Sequence, residues 1–169
     1  MQRQILRYIT LACSVFCEYL AGDNSRLQRA AFSAMRLILS HGLKPWLLKD
    51  LGGTKKKKDD MLELLKFDAL TLSEEVKNVR DSAGGGFSQM TPQDKIVIHM
   101  CYLLTNRFEH VHSLVLKLVK TFIEQAGTGL KEQQRTEFLL VVSQLKISGR
   151  DYNTWADCLG TFMRVMGAE

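Results

Sequence analysis

An all-α fold is predicted by three observations. Apolar residues recur at three- and four-residue spacing along almost the whole chain, and no strand-like alternation survives for more than a few residues. Only two prolines, Pro45 and Pro92, occur in 169 residues, which leaves long stretches free to be helical. Short polar or glycine-containing turns separate the periodic segments into adjacent hairpins. A hydrophobic content of 46% supplies the core such a fold needs, with 24% charged residues to solvate it.

The elements follow in order. The first helix is predicted over residues 4–21, with Ile5, Ile9, Ala12, Phe16 and Leu20 on one face. The second occupies the stretch GDNSRLQRAAFSAMRLILSHG, residues 22–42, opening on Asp23 and Asn24 as N-cap residues and closing on a glycine suited to a C-cap. Leu27, Ala30, Ala31, Ala34, Met35 and Ile38 share its apolar face, and the three alanines let a neighbouring helix approach closely. A short helix over 45–51 begins at Pro45 and ends at Gly52-Gly53; a longer one, with a break near Phe67-Asp68, covers 59–81. Three adjacent glycines in Ser82-Ala-Gly-Gly-Gly-Phe-Ser-Gln-Met90 cost too much entropy for a helix, so loops are expected at about 52–58 and 82–91. Thr91-Pro92-Gln93-Asp94 restarts the chain as cap, first-turn proline and nearby acid, leading to a buried stripe of Ile96, Val97, Met100, Leu103 and Leu104. Residues 109–126 place Val111, Leu114, Val115, Leu118, Phe122 and Ile123 on one side and stop at Gly127; helices over 130–146 and 152–166 complete the set.

The second helix resembles the second helix of a HEAT repeat, whose usual form is Asp, then Val-Arg, then Ala-Ala, then Ala-Leu. That resemblance implies a HEAT/armadillo-like α-solenoid of about seven to eight helices in antiparallel pairs, a class made mostly of binding scaffolds. At ~40 residues per pair the length suits about four pairs, so residues 1–169 read as a single α-helical repeat segment. Neither the first nor the last helix has the polar outer face of a terminal repeat, so the segment is expected to belong to a longer solenoid. Arg7 and Glu18 break the first apolar stretch, which excludes a signal-peptide shape, and Arg36, Lys117 and Lys120 keep every other run below the ~20 residues of a membrane span. Four cysteines without CxxC spacing point away from disulfides and zinc and towards a reducing compartment.

The net charge of +5 is unevenly distributed. Residues 1–58 carry eleven Lys or Arg against three acids, a balance of +8, and residues 59–169 carry twelve against fifteen, a balance of −3. The first third is therefore expected to meet an acidic partner. Arg26, Arg29 and Arg36 fall along one flank of the second helix, with Lys44 and Lys49 beyond, where they could grip phosphates or an acidic peptide or merely solvate the outer face. Lys55, Lys56, Lys57 and Lys58 form the sharpest basic run, open to three readings: solvated loop, phosphate contact or nuclear-import segment.

No chemistry-bearing constellation emerges. Cys13, Cys17, Cys101 and Cys158 lie in apolar stripes and read as core. His110 and His112 are two residues apart on a helix and point opposite ways, so with His99 and Glu109 they make no ligand set. Gly-x-Ser-x-Gly, HExxH and P-loop patterns are absent, and Glu74-Glu75 reads as surface charge. No enzyme, cofactor, metal site or small-molecule substrate is expected. Arg107 is expected to pair with Glu109 or to cap a helix end.

LLTNRFEHVHSLVLKLVKTFIEQAG, residues 103–127, resembles a segment of the nucleolar ribosomal-RNA-processing protein twelve family. There a leucine-rich helix end is followed by an Arg-aromatic pair and a histidine at a turn, then a Val/Leu-rich helix finishing near Phe-x-x-x-Gly. Tyr19-Leu20, AAFSAMRLILSHGL and the closing Met163-Arg164-Val165-Met166-Gly167-Ala168-Glu169 resemble that family in the same order. The family commonly has Trp at the position of His112 and Met-Gly-Pro-Glu at 166–169. The resemblance implies a non-catalytic scaffold in ribosome biogenesis, located in the nucleus and nucleolus with shuttling to the cytoplasm. Its implied partners are pre-ribosomal RNA, ribosome-assembly proteins and the nuclear transport machinery, with no membrane. The alternative is a protein-only scaffold or karyopherin-like carrier holding peptide or protein partners.

Overall fold

The computed structural model describes residues 2–43 and 92–166 apart from 131 and 148, and all of its regular structure is helical. The helices predicted over 45–51 and 59–81 and the loops at about 52–58 and 82–91 lie outside the described residues. Helix α1 spans Gln2–Ala21 and α2 spans Ser25–Gly42. Helix α3 spans Pro92–Leu103, and a 3-10 helix over Asn106–Val111 leads into α4, His112–Ala126. A single 3-10 turn, Gly127–Gly129, precedes α5, Glu132–Ser143, and α6 closes the fold over Tyr152–Met166. None of the described helices is long and apolar enough to cross a membrane.

Local chemistry sets the first turn. Asn24 is extended, and its Oδ1 accepts from the backbone of Arg26 at 3.0 Å and of Leu27 at 3.2 Å, which satisfies two orphan donors of α2. Gln28 reaches back from α2 so that its Nε2 donates to the carbonyls of Leu20 and Gly22 at the end of α1. The glycine expected as a C-cap is instead the last helical residue. Gly42 stays in the helix, where Ile9 of α1 leaves little room for a side chain, and Leu43 takes the extended cap position.

The buried faces of α1 and α2 are rotated from the expected ones. Leu6, Ile9, Cys13, Cys17 and Leu20 face the core in α1, and Gln28, Ala31, Met35 and Leu39 do so in α2. Ile5, Leu27 and Ala30 are exposed. The stripes of α3 and α4 follow the periodicity, with Ile96, Val97, Met100, Leu103, Val111, Val115, Leu118, Phe122 and Ile123 all buried. However, α4 begins three residues later than expected, at His112. Phe108, buried and tilted against Tyr102 with centroids 5.2 Å apart, leaves helical geometry at φ −114°, ψ 31° and holds residues 106–111 in the tighter helix.

Helix α5 ends at Ser143, earlier than its apolar pattern predicts, because Trp155 of α6 donates its indole N–H to the Val142 carbonyl at 2.7 Å. A last-turn acceptor is thereby satisfied from a neighbouring helix rather than by another helical turn. Phe122, Phe138 and Phe162 tie α4, α5 and α6 together edge to face, with centroid separations of 6.0 and 6.1 Å. Packing is sequential: α1 rests on α2 and α3, α2 on α4, α4 on α6, and α5 on α3 and α6.

Candidate nucleic-acid interface

Helix α2 positions the three arginines. With Ala31, Met35 and Leu39 turned to the core, the 3.6-residue repeat carries Arg26, Arg29 and Arg36 to the opposite side, and all three are exposed. They spread over about 80° of the helix circumference and about 15 Å of its length. None forms an ion pair or side-chain hydrogen bond with the described residues, and no acid lies between Ser25 and Gly42. The first turn of α2 also lacks an acid, so Arg26 stands where the helix dipole disfavours a cation, typically by 0.3–1 kcal/mol. Uncompensated cations at a helix N-terminus make a surface that favours anions. Lys44, Lys49, Lys55, Lys56, Lys57 and Lys58 lie outside the described residues.

Two cations elsewhere are paired with acids across the fold. Lys120 Nζ of α4 donates to Asp157 Oδ2 of α6, a hydrogen bond that raises the Lys120 pKa, and Arg164 reaches Glu124 at 3.3 Å. These pairs span 37 and 40 residues of sequence, which is why sequence spacing did not reveal them. Arg107 does not stand alone: its guanidinium lies 5.5 Å above the Phe108 ring, and Nη1 donates to the Tyr102 hydroxyl at 3.4 Å.

The remaining polar side chains that could carry chemistry are built into the core. His99 donates from Nδ1 to the Lys95 carbonyl at 2.7 Å, which leaves Nε2 to accept from Ser14 Oγ at 3.1 Å. This contact pins α3 to α1, and both residues are buried. His112 donates to the Thr105 carbonyl at 2.9 Å, and His110 is exposed. Cys13, Cys17 and Cys158 are free thiols in the core; burial pushes Cys13 and Cys158 up to about 12 and Cys17 well above its ordinary value. Among the described residues, no three His, Cys, Asp or Glu side chains are grouped so as to hold a metal ion. Neither the Ser14–His99 contact nor Gln28 was legible beforehand, since nothing local marks a serine, a histidine or a glutamine as facing inward.

No family model, curated protein or solved structure matches the chain.

Proposed function

We propose that the chain is a non-catalytic helical-repeat scaffold in ribosome biogenesis that holds pre-ribosomal RNA against the arginine flank of α2. The observation that carries the reading is the set Arg26, Arg29 and Arg36: exposed, on an acid-free helix and without an ion pair among the described residues, whereas Lys120 and Arg164 are matched to acids. Unpaired arginines on a rigid helix suit phosphate, which takes their planar forks without regard to base identity. The sequential packing supports a HEAT/armadillo-like solenoid, because each helix pair rests mainly on its neighbours. The ribosomal assignment rests on the resemblance of residues 103–127 and the flanking motifs to the ribosomal-RNA-processing protein twelve family, and with it come nucleolar location and work beside the nuclear transport machinery.

Salt dependence tests the interface. Three phosphate contacts give log K a slope of about −2 against log salt on single-stranded RNA, a loss of about 20-fold between 50 and 200 mM. Replacing Arg26, Arg29 and Arg36 by glutamine should reduce the slope by about 2 while leaving the helical circular dichroism unchanged. An unaltered slope would remove this flank from the account. A pull-down of the native protein with sequencing of the co-purifying RNA tests the setting. Enriched ribosomal-RNA precursors are expected; a defined protein partner without RNA would favour the carrier reading.

A further inference from the structure

Helix α4 also presents a cation without an acid. Lys117 is exposed and forms no ion pair with the described residues, whereas Lys120, one turn on, is held by Asp157. The single acid of α4, Glu124, lies two turns beyond Lys117 and is engaged by Arg164 at 3.3 Å. The nearest residues on the same face, Ser113 and Thr121, are uncharged, and the Thr121 hydroxyl donates to the Lys117 carbonyl at 2.9 Å.

The helical repeat fixes where Lys117 stands. Val115, Val119, Phe122 and Ala126, all buried, fall within about 40° of the opposite pole of α4, so Lys117 faces away from the core. Lys120 and Gly127, which meet Asp157 and Val165 of α6, lie about 60° and 80° around to one side. The other side, marked by Leu114 and Leu118 at about 60° and 100°, is left for α2, the other long helix packed on α4. On α2, Gly42 against Ile9 marks the side that meets α1, and Phe32, packed on the core about 80° further round, marks the side left for α4. Arg36 and Arg29 stand about 40° and 60° beyond Phe32, and Arg26 about 120° beyond. The arginines thus begin at the edge of α2 that adjoins α4, and Glu124 stands on the α6 side of Lys117, not between the two sets.

We propose that Lys117 is a fourth phosphate contact, and that a bound RNA strand crosses from α2 onto α4 instead of following α2 alone. The inference rests on the reading of the arginine flank as an RNA surface and specifies the path over it. Packed helix axes lie about 8–10 Å apart, so extended arginine and lysine side chains on neighbouring helices can reach phosphates of one strand. Lysine acts as a point charge on a flexible stem, and so needs no fixed angle of approach to a phosphate oxygen. Asp157 of α6, with its side chain 65% exposed, sets the far edge of the positive surface, because a phosphate there would meet a carboxylate.

Fluorescence anisotropy of a labelled ten-nucleotide oligouridine, titrated with the 169-residue chain between about 50 and 200 mM salt, tests the path. Four contacts on a single strand give log K a slope of about −3 against log salt. Lys117→Gln should reduce the slope by about 0.7, and joint replacement of Arg26, Arg29 and Arg36 by glutamine should reduce it by about 2. Arg7→Gln is the control: Arg7 is exposed on α1, about 160° around from the Ile9 side that meets α2, and its loss should leave the slope unaltered. Lys117 and Arg7 are both exposed, so the helical circular dichroism of each variant should match the parent. A parental slope in Lys117→Gln beside a reduced one in the arginine variant would overturn the crossing and keep the arginine flank. Equal reductions in Lys117→Gln and Arg7→Gln would overturn it too, since net charge alone would then set the slope. An unaltered slope in the arginine variant would remove the RNA reading itself, and the crossing with it.

Discussion

Replacing Gly127 and Gly160 by alanine, one at a time, applies the same chemical change to two backbone environments. Neither needs a glycine conformation: Gly127 sits at φ −55°, ψ −41°, and Gly160 lies inside α6. They differ in what a Cβ meets. At Gly127 it would stand 2.6 Å from Val165 Cγ1, and valine, stiff at χ1, cannot swing that methyl aside. Overpacking of this kind costs typically 1–3 kcal/mol, against about 0.4–1 kcal/mol recovered from a less flexible unfolded chain. Gly127→Ala should therefore lower stability by about 1–2 kcal/mol and Tm by roughly 2–8 °C for a domain of this size. At Gly160 nothing lies within 4 Å, so alanine should add about 0.5–1 kcal/mol of helix propensity and raise Tm by roughly 1–4 °C. Urea unfolding followed by circular dichroism gives both values. Combining Gly127→Ala with Val165→Ala removes the obstructing methyl and should show a coupling of about 1 kcal/mol. Additive losses, or a stabilising Gly127→Ala, would refute the close approach of α4 and α6.

Two further perturbations probe the same core. Ala31→Asp places a carboxylate at a fully packed position of α2 and should cost about 3–5 kcal/mol, whereas Ser33→Asp on the exposed side should change stability by no more than about 0.5 kcal/mol; a soluble, equally stable Ala31→Asp variant would contradict the packing described for α2. Burial raises Cys13 and Cys158 from 9.0 to about 12, so the unfolded chain releases those protons first and stability is lost as pH rises from 9 towards 12. Between pH 8 and pH 10 each thiol should remove on the order of 1 kcal/mol, a slope that urea titrations should find reduced in the Cys13→Ala and Cys158→Ala variants.

What the sequence could and could not disclose follows from how the helices are patterned. α4 carries apolar residues mainly on one side, so periodicity alone finds Val115 and Phe122 in the core, whereas α3 is apolar nearly all round and buries Lys95 and His99 along with Ile96 and Met100. On α1 the polar residues Arg7, Thr10, Ser14 and Glu18 share one side and leave a broad apolar arc. Leu6, Cys13 and Leu20 compete there with Ile5, Tyr8 and Tyr19, and only packing against α2 and α3 decides between them. On α2 the decision turns on Gln28, a polar residue that buries itself to satisfy two carbonyls of the first turn, and so rotates Leu27 and Ala30 outward. The arginine flank was legible because it depends only on spacing along one helix. Its lack of acidic partners among the described residues was not, since matched pairs such as Lys120–Asp157 form between helices far apart in sequence.

Helix α2 divides its circumference between core and charge, and that division decides how the interface can be probed. The core face, Ala31, Met35 and Leu39, fixes the helix against its neighbours. Arg26, Arg29 and Arg36 lie on the far side, towards solvent. Because none of these arginines enters the core, replacing all three by glutamine leaves the packing of α2 on α1 and α4 intact, so a salt slope lost in that variant reports phosphate contact and not unfolding.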